Sequence, residues 1–205
     1  MAIATADELS AFASEHISYE VEMAANGAAM WRDARTYLSR VASSSLTVAV
    51  LVHLRLLDDF LARTSPTVDD VLAVHYLDNW QPPAPSPLTV MGDRHAVNGQ
   101  VAHLALRRET SRLWNLADMA KAVLMECQRF FNQLEDEANA YAPSFEVAAR
   151  ITGEFLDWYD QGLYLDLDAY ATVEVDGTPS PDSVGTTSNV VTRSFMFPND
   201  AWRGS

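Results

Sequence analysis

The chain has 205 residues, 48% of them hydrophobic and 20% charged, which is the profile of a globular domain long enough to bury a sizeable core. A net charge of −14 argues against broad electrostatic adhesion to nucleic acid, and no run approaches the roughly 18–20 apolar residues of a membrane span. The lone Cys127 excludes an internal disulfide and a Cys-based zinc site. MAIATADELS has no basic stretch followed by an apolar one, so a cytoplasmic protein is expected.

In chain order the pattern is helical. Asp7 is placed to cap a first helix, along which Leu9, Phe12, Ala13, His16, Ile17, Glu20, Val21 and Ala24 recur at a 3–4 spacing. Asn26-Gly27 is a candidate end or kink. A second helical region runs from about Ala28 through Arg63, with a candidate break at Ser43-Ser44-Ser45. Thr67 begins a short third helix ending before Gln81. QPPAPSPLTV then forces an extended loop. Asp93 opens a fourth helix to about Leu113, Asn115 caps a fifth to about Tyr141, and Pro143-Ser144 starts a sixth that Gly162 ends. The expected organisation is an all-α bundle of four to six helices over 1–162, followed by an irregular, acidic C-terminal extension over 163–205. In that extension YLDLDAYATVEVDG alternates like a short hairpin or edge strand, and Phe195, Phe197 and Trp202 are aromatics suited to docking on a protein surface.

Two stretches carry chemistry. HLRLLDDFL, His53 to Leu61, sets four polar groups in the most apolar part of the chain. Helical spacing puts His53 on a face with Leu56, Leu57 and Phe60, pointing to the core. The structural reading is a surface Arg55–Asp59 ion pair and one hydrogen-bonded core histidine. In DRHAVNGQVAHLALRR, His95, Gly99, His103 and Arg107 descend one side of a helix, with Asn98 and Gln100 nearby. A glycine inside a helix points to close approach of another helix or a ligand. Charge is uneven as well. Asp93 to Arg112 holds Arg94, Arg107, Arg108 and Arg112 against two acids, whereas Phe130 to Val190 holds twelve acids and one base, Arg150.

Together these stretches resemble a family. HLRLLDDFL is similar to the H-x-R-x-L-x-D-F-L signature of HEPN-like helical bundles of bacterial abortive-infection and toxin-like proteins. NGQVAHL, Asn98 to Leu104, resembles their N-K-x-x-A-H-L stretch, and Tyr19-Glu20 with Met23 matches a Y-E-x-x-M pattern. The likeness spans about Tyr19 to Phe131. It implies a bundle that is often a homodimer, needs no cofactor or metal, and in active members cuts RNA with an R-x(4–6)-H motif. A histidine near neutral pKa can move the proton of a ribose 2′-hydroxyl, and an arginine can stabilise charge on the phosphate.

The motif histidine is then His103. Its arginine should stand at Ala96, Val97 or Asn98, and none of these is basic. Arg94 lies two residues too early. Arg55 or Arg107 could supply the charge in space, so the catalytic set implied is His103, Asn98, Arg55 and Arg107, supported by His53, Asp59 and His95. Three functions follow: metal-independent cleavage or binding of RNA in defence or as a toxin–antitoxin component, a non-catalytic module that dimerises or binds a protein partner, and a metal-dependent hydrolase using His53, His95, His103 and an aspartate. No membrane partner is expected.

Overall fold

The structure is a computed structural model that describes residues 4–34, 37–65, 70–91, 94–101 and 114–162, with the backbone alone at 99–101. All of these residues fall within one compact unit, Met1–Leu163. Helix covers more than three-fifths of them and none is in a strand, as the periodicity predicts. The C-terminal extension, with its candidate hairpin and its aromatics, lies outside the described residues.

Helix α1, Ala6–Phe12, is capped by Thr5 rather than Asp7. Glu8 stands three residues on and completes a capping box: Thr5 Oγ1 accepts from the Glu8 N–H at 3.3 Å, and Glu8 Oε2 accepts from the Thr5 N–H at 2.7 Å. A π-helical turn at Ala13–Ile17 leads directly into α2, Ser18–Ala34. The buried residues Leu9, Ala13, Ile17, Val21 and Ala25 step by four. At about 100° per residue such a step drifts by about 40° on an α-helix. The π turn takes up an extra residue and sets the drift back, so one stripe faces the core throughout.

Asn26-Gly27 neither ends nor kinks this helix. Gly27 marks a close crossing instead: a Cβ there would stand 2.5 Å from Cγ2 of Val50 on the next helix. Valine is stiff at χ1 and cannot swing aside cheaply. Gly27→Ala is therefore expected to destabilise by about 1 kcal/mol, the overpacking cost exceeding the gain in helix propensity. In a Val50→Ala background the same change should become neutral or stabilising. Chemical denaturation of the four variants reads that change of sign.

The second helical region proves to be two pieces. The chain leaves α2 at Ala34, and Ser39 caps α3, Arg40–Ala62, through the Ala42 N–H at 3.2 Å. The three serines do not break α3. They lie on its exposed or half-exposed first turns, where hydroxyls reach water and Thr47 Oγ1 donates back to the Ser43 carbonyl at 2.9 Å.

The expected third helix is also absent from 70–81, where only the 3₁₀ turn Ala73–His75 forms. Leu72, Ala73, Tyr76, Leu77 and Trp80 are buried at a helix-like spacing, but consecutive turns achieve it. The Tyr76 hydroxyl donates to the Leu9 carbonyl at 2.9 Å and the Trp80 indole to the Leu61 carbonyl at 2.8 Å, which pins the segment open. The proline-rich loop follows as expected, and Pro87 starts the single turn α4, Pro87–Val90.

Helix α5 is described over Arg94–Val101. Helix α6, Leu116–Asp136, follows Asn115, which donates to the Asp118 carboxylate. It ends five residues before Tyr141, because Ala138 takes a left-handed φ of 47° and Asn139 turns away to donate to the Tyr76 carbonyl at 2.8 Å. A 3₁₀ turn, Ala142–Phe145, leads into α7, Glu146–Asp160, and Gly162 closes it at φ 63°.

Helices α2, α3, α6 and α7 pack in that cyclic order as a four-helix bundle, with α5 laid on α3 and α4 on α6. Phe130 of α6 is the centre of the core, edge-on to Phe60, Trp80 and Phe145 at ring separations of 5.4, 5.2 and 5.3 Å. Cys127 is buried on the same helix, and burial pushes its thiol up, away from the reactive thiolate. Among the described residues no helix is long and apolar enough to cross a membrane.

Candidate functional site

The polar residues of HLRLLDDFL divide between two sides of α3. The core line of this helix runs through Val50, Leu51, Leu54, Leu57 and Leu61, and Asp58 stands in that line, fully buried. A carboxylate there requires partners, and the fold supplies two. Its Oδ1 accepts from the Leu88 N–H at 3.1 Å, which fixes α4, and its Oδ2 is ion-paired with Arg94 at the start of α5. The other Arg94 nitrogen pairs with Asp59, so one guanidinium bridges two adjacent carboxylates.

Asp59 is half-buried. Burial raises its carboxyl above the usual range, opposed by the nearby charges of Arg55 and Arg63. Arg55 reaches it at 3.8 Å, the ion pair expected from the i, i+4 spacing, and Arg63 pairs with Asp70 at 2.7 Å. Burial and the proximity of Arg55 together disfavour the charged form of Arg94. Two cations are thus crowded around carboxylates that hold them.

His53 does not belong to this cluster. It lies at the edge of the core line, beside α2, with Leu56 46% exposed next to it. Its Nδ1 is 2.6 Å from Glu20 Oε2, and the Tyr19 ring meets it edge-on at 5.6 Å. This links α2 to α3, not α3 to α5. The set implied by the resemblance groups His53, Arg55 and Asp59 with residues of α5. The structure gives it to Asp58, Asp59 and Arg94, with Arg55 at its rim.

On α5, Val97 is buried and Asn98 lies one turn beyond Arg94, with its Oδ1 buried and without a hydrogen-bond partner among the described residues. His95 is exposed. His103 and Arg107 lie outside the described residues, as does Asp93. The structure therefore brings Arg55, Asp59 and the Arg94 end of α5 together and turns His53 away from them. Asp58 and Arg94 were missed as partners, yet the signal was legible: an aspartate in the apolar line of a core helix needs a cation, and Arg94 opens the next motif. Among the described residues no group of three His, Cys, Asp or Glu side chains is arranged to hold a metal ion. Comparison with protein-family models, curated proteins and solved structures returns no match.

Proposed function

We propose that this chain is a HEPN-like helical module that works by binding protein, as a homodimer, and does not cut RNA. The observation that carries this reading is the pairing of Arg94 with Asp58 and Asp59, and of Arg55 with Asp59. Stabilising a phosphate in its transition state requires a cation aimed at the reacting group and free of competing anions. Arg55 and Arg94 have carboxylates for partners, and the sequence offers no arginine at the motif position before His103.

The test is incubation of the purified full-length protein with labelled single-stranded RNA, with and without chelator. The RNA should stay intact. Cleavage that His103→Ala abolishes would establish the ribonuclease reading instead, and cleavage that chelator abolishes would establish the metal-dependent one.

A further inference from the structure

We infer that the groove on the outer side of α6, beside α7, binds a neutral saccharide through its side-chain amides. The groove has a volume of about 480 Å³, within the range of small-molecule sites. Its amides are Gln128, Asn132 and Gln133 of α6, and Met125 and Leu156 add apolar surface. Gln128 Nε2 donates to Asn132 Oδ1 at 2.8 Å. That leaves the Gln128 oxygen to accept and the Asn132 NH2 to donate, neither with a protein partner among the described residues. Exchanging O and N in both amides gives the same result, one acceptor and one donor side by side. Vicinal hydroxyls of a sugar ring each donate and accept, so they match such a pair. Gln133 offers a further acceptor, since its NH2 donates to Asn79 and Glu137 at 3.1 and 2.8 Å. Met125, 53% exposed, and Leu156 present C–H surface to the apolar face of the ring.

A glycine without a packing reason stands at the amide pair. Gly153 lies in the middle of α7, where only proline is a poorer helix former. Unlike Gly27, it is not crossed closely by a neighbour. Among the described residues a Cβ there would meet only Gln128 Oε1, at 3.8 Å, an ordinary contact. What the missing side chain leaves open is the space beside Gln128. Charge then selects against anions. Arg129, the one cation lining the groove, is engaged elsewhere: its Nε donates to Glu126 at 2.7 Å, its Nη2 to the Gln81 carbonyl at 3.0 Å, and it lies 4.0 Å over the Trp80 ring. Asp136, exposed at the far end of the groove from Met125, repels phosphates and carboxylates. RNA and acidic sugars therefore fit less well than a neutral sugar.

The full-length protein should be mixed with glucose, galactose, mannose, N-acetylglucosamine, maltose and cellobiose, and binding read by saturation-transfer NMR. The 6-phosphates of the monosaccharides and a capped neutral peptide, N-acetyl-triglycine amide, serve as competitors. At least one neutral sugar should bind, with saturation on its ring C–H protons, and its phosphate should bind more weakly. Asn132→Ala should lower the affinity about tenfold, and its melting should not change because the side chain is exposed. Gly153→Met should abolish binding while raising Tm, since methionine is the better helix former and fills the space beside Gln128. Binding of no neutral sugar, tighter binding of the phosphates, or binding of the capped peptide in their place would overturn the proposal. So would sugar binding that survives both substitutions, or a fall in Tm for Gly153→Met. The groove shares no residue with the carboxylate cluster of α3, so this outcome and that of the RNA assay are independent.

Discussion

Arg94→Ala is expected to destabilise the protein by about 3 kcal/mol, the low end of the range for stranding one member of a buried ion pair. Asp58 is fully buried, and without Arg94 its carboxylate keeps a single donor among the described residues, the Leu88 N–H. Asp59 suffers less, being partly exposed and near Arg55. In a domain of this size the loss corresponds to a fall in Tm of roughly 6–12 °C. The deficit should shrink as pH falls. A protonated Asp58 needs no cation, so the folded variant binds that proton more tightly than the unfolded chain does. The part of the stability that this proton supplies is fully present at low pH and is lost as pH rises. Asp58→Asn should cost less, about 1–2 kcal/mol, since an amide oxygen still accepts from Leu88 and no charge is stranded. Urea melts across a pH series check the magnitudes and the sign.

Phe130→Ala is expected to cost about 3–5 kcal/mol, the range for removing a buried aromatic from a core. Phe130 touches rings from three other parts of the fold: Phe60 on α3, Tyr76 and Trp80 in the 70–81 segment, and Phe145 before α7. No single neighbour can move in to fill the space. The 70–81 segment depends on this contact most, because it has almost no helix of its own. Phe130→Leu should retain a large part of the loss. Thermal melts followed by tryptophan fluorescence, which includes Trp80, read both variants.

How much of this was legible in the sequence depends on what each residue's signal can mean. Apolar spacing located the long helices because a buried stripe at a period near 3.6 has few other solutions. Where it misled, at 72–80, consecutive turns bury the same spacing of residues that a helix would. Glycine and serine were over-read as breakers. Gly27 stays helical because a neighbouring helix needs its missing Cβ, and Ser43 to Ser45 stay helical because their hydroxyls face water. In HLRLLDDFL helical spacing alone points His53 to the core and leaves Asp58 without a role. A shift of 100° per residue moves His53 to the α2 side and puts Asp58 in the core line. Partners that lie more than thirty residues away in sequence, Glu20 for His53 and Arg94 for Asp58, are set by tertiary packing and are invisible to local periodicity.

The central claim is that the cations beside α3 are held by its own carboxylates. A double-mutant cycle of Asp58→Asn and Arg94→Ala, measured by equilibrium denaturation at neutral pH, tests it most directly. The account predicts a coupling energy of about 2 kcal/mol or more, as found for residues in one ion-pair network. Effects that add to within about 0.5 kcal/mol would contradict it, since Arg94 would then be uncoupled from Asp58.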